Sequence, residues 1–219
     1  MPRPRPPEPE PEPAQERGVV ARRRPAGLHA RLREGTGAQH RVLDDALGFL
    51  LDPALTLERY RQVLAAYYGL YVPLEVRLRD LRQLADVPGA YVPDRSRLLA
   101  EDLEFLGMPS AQRDALPLCE EPALAGRERL AGALYVVSGA SLGGSFIARS
   151  VEHSLGVRAH AGASFFVGDG PDTGKRWKQV LCWLEALAAG GAAEDEILTG
   201  ARQTFELFTR WLRQRRVFT

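Results

Sequence analysis

Hydrophobic positions recur at three- and four-residue steps along nearly the whole chain, the spacing that puts side chains on one helix face. Leu28, Leu32, Thr36, His40, Leu43, Leu47 and Leu50 trace one such face and predict a first helix over about 28–50, ended by Asp52-Pro53. Thr56 opens a second pattern through Tyr60, Val63, Leu64, Tyr67, Tyr68 and Tyr71, with Pro73 expected to kink it before Leu74 to Leu84. Asp94 is placed to cap a third helix carrying Leu98, Leu99, Leu103 and Leu106 and stopping at Gly107. A long pattern follows over about 127–155 and is stopped by Gly156. Asp172 or Thr173 is placed to cap the next, which carries Trp177, Val180, Leu181, Leu184 and Leu187 and ends at Gly190-Gly191, and the last runs over roughly 193–215. Period-two alternation between turn pairs and internal repeats are both absent. The pattern predicts an all-α single domain.

Composition changes this picture at one end. Residues 1–26 hold eight of the 16 prolines, interleaved with Glu and Arg, and almost no bulky apolar residue before Val19-Val20. Such a stretch buries too little surface to offset its ordering entropy, so it reads as a disordered Pro/Glu/Arg-rich tail, with the folded domain over 27–219. Lys+Arg number 29 against 28 Asp+Glu, a formal charge of +1, and only Lys175 and Lys178 are lysines. No strong field argues for nucleic acid or an anionic membrane. No run of about 18 apolar residues is present, and the start lacks the apolar core of a secretory signal. Cys119 and Cys182 are too few for a disulfide framework or a cysteine-built zinc site. The expectation is a cytoplasmic protein with no nucleic-acid or membrane partner.

Three features carry candidate chemistry. His29 stands at the start of the first helix and reads as solvated, while His153 and His160 flank the stop at Gly156 and read as surface positions. His40 instead interrupts an apolar stripe, one turn after Thr36 and one before Leu43. A neutral imidazole there is either a satisfied core residue or an axial ligand for haem iron, with Glu34, Asp44 or Asp45 able to orient its other ring nitrogen. The second feature is Ser138-Gly139-Ala140-Ser141-Leu142-Gly143-Gly144-Ser145 inside the long pattern. Each glycine costs a helix interior roughly 0.5–1 kcal/mol relative to Ala, so the run serves either close helix packing or the approach of a flat ligand to bare backbone. The third is a set of cations, Arg33 two turns before His40 and Lys178 on another helix, able to receive carboxylates.

In this order and spacing, the three resemble the haem oxygenases, especially the bacterial biliverdin-forming enzymes that supply chromophore to bacteriophytochromes. The likeness spans roughly residues 28–215. The run from Leu32 to His40 (LREGTGAQH) is similar to the family's proximal-helix motif ending in the haem-ligating His. Tyr135, Gly139 and Gly143-Gly144 resemble the distal-helix motif, and Phe165-Phe166, Trp177-Lys178-Gln179 and Phe205 resemble later aromatic landmarks. The resemblance implies a helical bundle holding haem b, as substrate and prosthetic group, between a proximal and a kinked distal helix. It implies His40 as iron ligand, Arg33 and Lys178 on the propionates with Tyr135 hydrogen-bonding to one, and Thr36 and Leu43 beneath the macrocycle. Gly139, Gly143 and Gly144 would form the distal wall. Two positions depart from the pattern. Ala140 stands where animal members carry a distal Asp, and Cys182 where an Arg often assists a propionate.

The activity so implied is oxidative ring-opening of haem to biliverdin, carbon monoxide and iron, with O2 and external electrons. No strand–GxGxxG–helix unit is present for a flavin or nicotinamide, so the donor would be a ferredoxin or flavin reductase, with Arg33, Arg202 and Arg210 as docking candidates and a bacteriophytochrome as acceptor of the bilin. Without a distal carboxylate, protons would travel through ordered waters near Gly139, aided by Ser138, Ser141 or an Arg. Three other readings compete. A haem carrier or sensor that does not degrade its ligand draws on Ala140; a bundle enzyme acting on thiamin-like compounds would need a core Cys and Glu; a helical adaptor has no use for the glycine run.

Overall fold

A computed structural model of the chain describes Met1 and residues 27–84 and 94–218, so the tail expected over 1–26 lies outside the described residues apart from Met1. Eight helices follow one another among the described residues: α1 (Leu28–Leu47), α2 (Leu57–Leu84), α3 (Arg95–Phe105), α4 (Ser110–Asp114), α5 (Gly126–Leu155), α6 (Ser164–Val167), α7 (Thr173–Ala189) and α8 (Glu194–Gln214). No strand occurs among these residues, and the all-α single-domain reading holds.

The stripes seen in the sequence are the buried faces. On α2, Tyr60, Val63, Leu64, Tyr67, Leu70, Tyr71, Leu74 and Leu78 are all buried, an unbroken face that continues past Pro73. Helix α5 is the centre of the bundle and packs on α8, α7, α2 and α6; α1 packs on α8 and α7, and α3 on α2 and α6. Two glycines set the α5–α8 crossing. A Cβ on Gly132 would stand 2.0 Å from the carbonyl oxygen of Ile197, and one on Gly200 would stand 2.1 Å from that of Arg129. Backbone meets backbone there, and no other residue fits without moving a helix. By length and composition α5 could cross a membrane, but half of its apolar window is buried inside the protein, as befits a core helix.

Helix starts leave N–H groups without intrahelical partners, and here carboxylates from distant helices supply them. Glu185 of α7 accepts from Leu28 N (3.0 Å) and His29 N (2.8 Å) at the start of α1. Glu75 of α2 accepts from Arg95 N and Ser96 N at the start of α3. Asp102 of α3 accepts from Ser164 N (2.8 Å) and Phe165 N (2.7 Å) at the start of α6. These overturn two local expectations: Asp94 makes no capping bond and instead accepts from Arg97 Nε, and Asp172 makes none either. The first helix also ends earlier than predicted, at Leu47, and tightens into a 3-10 turn over Gly48–Leu51. Helices α4 and α6 are too short to leave a periodic trace and were not predicted. The left-handed stops at Gly156 (φ 72°) and Gly191 (φ 91°) agree with the sequence.

Candidate functional site

Helices α1 and α5 scarcely touch; α7 and α8 pack against both, and the space so left is a cleft of about 540 Å³. That is within the ordinary range for a small-molecule site, about 300–1,000 Å³. Helix α1 gives one wall, with His40, Leu43, Asp44 and Leu47, and α5 the other, from Tyr135 to Ile147. The floor is aromatic: Tyr67 and Tyr71 from α2, Phe165 and Phe166 from α6, Phe205 and Phe208 from α8.

His40 belongs to the same stripe as the buried Leu32, Thr36 and Leu43, yet its side chain is 58% exposed, because the cleft opens at its level. Its Nδ1 lies 2.7 Å from Asp44 Oδ2, one turn on, and its ring meets Phe205 edge-on at 5.8 Å. Of the three carboxylates the sequence left open, Asp44 is the partner. With Nδ1 committed, Nε2 is the nitrogen left for another ligand, and the carboxylate fixes the ring's orientation and tautomer. Among the described residues no three His, Cys, Asp or Glu gather as a metal cage. What the site offers is one oriented imidazole, suited to a metal whose other positions are already filled.

The glycine run divides between its two sequence readings. A Cβ on Gly143 would meet nothing within 4 Å, and one on Gly139 would meet only the Trp177 ring, at 3.4 Å. These two line the cleft and leave bare backbone for a ligand face. Gly144 is buried, and a Cβ there would lie 2.6 Å from the Phe166 carbonyl oxygen, so its hydrogen serves the contact with α6. Leu142 and Phe146 beside them are 39% and 64% exposed at the cleft mouth, and Leu51 is 52% exposed across from them. A concentration of open apolar side chains around a concavity is the mark of a ligand with an apolar body.

The other expected site residues separate. Leu43, Tyr135 and Phe205 line the cleft, whereas Arg33, Thr36 and Lys178 do not. Thr36 is buried behind the wall, donating to Leu32 O at 2.8 Å and hydrogen-bonding with Tyr135. Burial raises the Tyr135 hydroxyl above the ordinary tyrosine range, against the opposing pull of the Arg33 charge and the Thr36 bond, so Arg33 acts at that end of the cleft. Lys178 is exposed on α7, one residue from the cleft-lining Trp177. His29 is not solvated as expected. Its ring packs against Tyr135 (6.2 Å) and Trp177 (5.9 Å), an aromatic corner closing this end. His153 and His160 are exposed, as expected.

The sequence reading missed Arg95, Tyr67 and Tyr71 as cleft residues. Arg95 has a side chain only 7% exposed, and its Nη2 donates to Ser141 Oγ at 2.7 Å beside the glycines. Burial holds both tyrosine hydroxyls far above their usual range, so they stay protonated donors at any working pH. The tyrosines were visible as helix-face residues, but periodicity cannot tell core from cleft floor. Nothing local marks Arg95.

A family model described as heme oxygenase matches residues 26–214. Heme oxygenase of Xanthomonas campestris pv. campestris (strain 8004) is 30% identical over 151 residues, which are 69% of this chain and 87% of that protein. Among solved structures, heme oxygenase from Neisseria meningitidis, crystallised in NO- and CO-bound forms, superposes with a TM-score of 0.70 and 26% identity, covering 86% of this chain and 92% of that one. Heme oxygenase-1 from the cyanobacterium Synechocystis, solved in complex with heme, has a TM-score of 0.64 at 18% identity over 86% of this chain and 92% of that one, a likeness of fold.

Proposed function

Because the chain belongs to the haem oxygenase family and is an oxidoreductase of that kind, we propose that its cleft takes haem b as substrate, with His40 as the sole protein ligand to iron. When bound, haem supplies both the iron that receives O2 and the ring that is opened to biliverdin, carbon monoxide and iron, with electrons from an external donor such as a ferredoxin or flavin reductase. The single observation that carries this reading is the pairing of walls: an imidazole oriented by Asp44 on one side, and side-chain-free backbone at Gly139 and Gly143 on the other.

The chain's own residues have separable tasks. Asp44 holds the His40 ring and its tautomer. Leu43 and Phe205 bear on the ligand's apolar body from the His40 side, and Gly139 and Gly143 exclude bulk from the other, with Gly144 seating that wall on α6. Arg33 and Lys178, with the Tyr135 hydroxyl, meet the propionates at the aromatic corner, both cations swinging in from outside the lining, while Thr36 braces Tyr135 from behind. In place of a distal carboxylate at Ala140, the Arg95–Ser141 bond and the protonated Tyr71 hydroxyl give ordered waters their partners and supply the proton path. Arg33, Arg202 and Arg210 are exposed and fit an acidic electron donor, and a bacteriophytochrome fits as acceptor of the bilin. A folded domain over 27–219, working in the cytoplasm, completes the proposal.

Titrating the protein with hemin should give a Soret band, and adding ascorbate or a reductase in air should replace it with bilin absorption in the red. His40→Ala should abolish normal turnover; unchanged haem spectra in that variant would refute the ligand assignment. Ala140 favours a second reading, a haem carrier or sensor, which predicts a stable ferrous or oxygenated complex in the same experiment.

A further inference from the structure

Among the described residues, Arg95 is the one charged side chain buried in the cleft wall on the glycine side, and its surroundings are built to hold it there. Its backbone N is bound by Glu75, and its Nη2 bridges Ser141 Oγ on α5 and Asp169 Oδ2 (3.1 Å) in the turn after α6. That turn is shaped around the guanidinium: Gly168 has φ 60°, and a Cβ on it would lie 2.6 Å from Arg95 Nη1. Asp169 also stands 3.4 Å from Arg176 Nε, and among the described residues Tyr71 and Glu75 also act on Arg95. Asp169 itself does not line the cleft.

We propose that Asp169 is a positioning residue and counter-ion for Arg95, reaching from outside the cleft to aim the guanidinium at Ser141 and to temper the positive field it projects over the glycine wall. The inference rests on reading the cleft as a haem site. A buried guanidinium without a counter-charge is costly, and one with no hydrogen-bond acceptor behind it turns toward water. The bond to Asp169 keeps it in the wall, and the two N–H groups of Nη2 let one nitrogen donate to Ser141 and Asp169 together. Because Arg95 lines the cleft and Asp169 stands behind it, the field on that side is positive but partly cancelled.

Carbon monoxide bound to the ferrous haem complex tests this without turnover, since a positive field at its oxygen strengthens back-donation from iron and lowers the C–O stretching frequency. Arg95→Gln should raise the frequency, and Asp169→Asn, whose amide oxygen can still accept from Nη2 and keep the guanidinium in place, should lower it by leaving the cation uncompensated. Asp169→Glu, which keeps the charge, should return it toward wild type. Hemin affinity should change by less than twofold in the Asp169 variants. Shifts of the same sign in R95Q and D169N, or no shift in D169N, would overturn the pairing, as would a D169E complex no closer to wild type than D169N. Failure of the wild-type protein to form a His40-dependent Soret complex would remove the haem reading, and this inference with it.

Discussion

The two halves of α5 use glycine for opposite purposes. From Leu130 to Val137 every residue is buried, and Gly132 lets the backbone press against α8 where a Cβ would collide with Ile197 O at 2.0 Å. From Ser138 to Ile147 only Gly144 is buried, and Gly143 faces open space. The first half spends a glycine's helix-breaking cost on packing; in the second, Gly144 does the same against α6, but at Gly143 no contact within the protein compensates that cost. A helix interior that tolerates such a loss has a use for bare backbone, and a flat ligand lying on it is the use the cleft supports.

Replacing Gly132 is the strongest way to break this contrast. The added methyl meets rigid main chain on both sides, Ile197 O and Ala201 N, so no side-chain rotation relieves it. Gly132→Ala should cost at least about 3 kcal/mol in denaturant unfolding. A near-neutral result would mean that the α5–α8 contact is looser than described.

Next in size is Asp102, which holds the floor opposite the glycines. Its carboxylate satisfies two buried N–H groups at the start of α6, and α6 carries Phe165 and Phe166 into the cleft. Asp102→Ala strands both donors and should cost about 2 kcal/mol, with hemin affinity falling alongside stability. If affinity is retained while stability drops, the two phenylalanines are held by packing alone.

Asp102 also shows which parts of the site were legible. It occupies the stripe Leu99, Leu103 and Leu106, and Glu75 likewise falls between Leu74 and Leu78, so both were visible as carboxylates on an apolar helix face. A charge in that position signals a buried partner, but the partners are backbone N–H groups of helices far along the chain, which no local pattern names. The local signal even misled: Asp94 has the right type and place for a cap, and its carboxylate goes to Arg97. His40, Leu43, Tyr135 and Phe205 were legible because a helix face and a family motif agree on them. Arg95, tied to Ser141 and Asp169 across 46 and 74 residues, was not.

Gly143→Ala sharpens the contrast from the other side. With nothing within 4 Å to meet the methyl, helix propensity should make the free protein more stable by roughly 0.5–1 kcal/mol. The same methyl enters the space assigned to the ligand, so hemin affinity should drop on the order of tenfold. Stability and affinity moving in opposite directions is the signature of backbone kept clear for function. Unchanged hemin binding would leave the exposed glycine without its purpose.

The smallest expected effect is a pH dependence at Glu75, the clamp beneath Arg95. Burial pushes its carboxyl above the ordinary 4.5, more than the bonds from Ser96 and from the Arg95 and Ser96 amides pull it down. The folded protein therefore keeps this proton to a higher pH than the unfolded chain does. Between 4.5 and the raised value the folded state binds more protons, and linkage makes stability fall as pH rises across that interval. The contribution is fully present below 4.5 and lost on passing through the raised pKa. Glu75→Gln cannot ionise and can still accept one amide bond, so its stability relative to wild type should improve as pH climbs from about 4.5 toward neutrality. Urea midpoints of the two proteins across that range give the measurement, and parallel profiles would mean that ionised Glu75 is fully compensated by its three donors. The first half of α5 packs its neighbours against carbon; the helices facing its second half hold their places with buried carboxylates, and this titration measures what that arrangement costs.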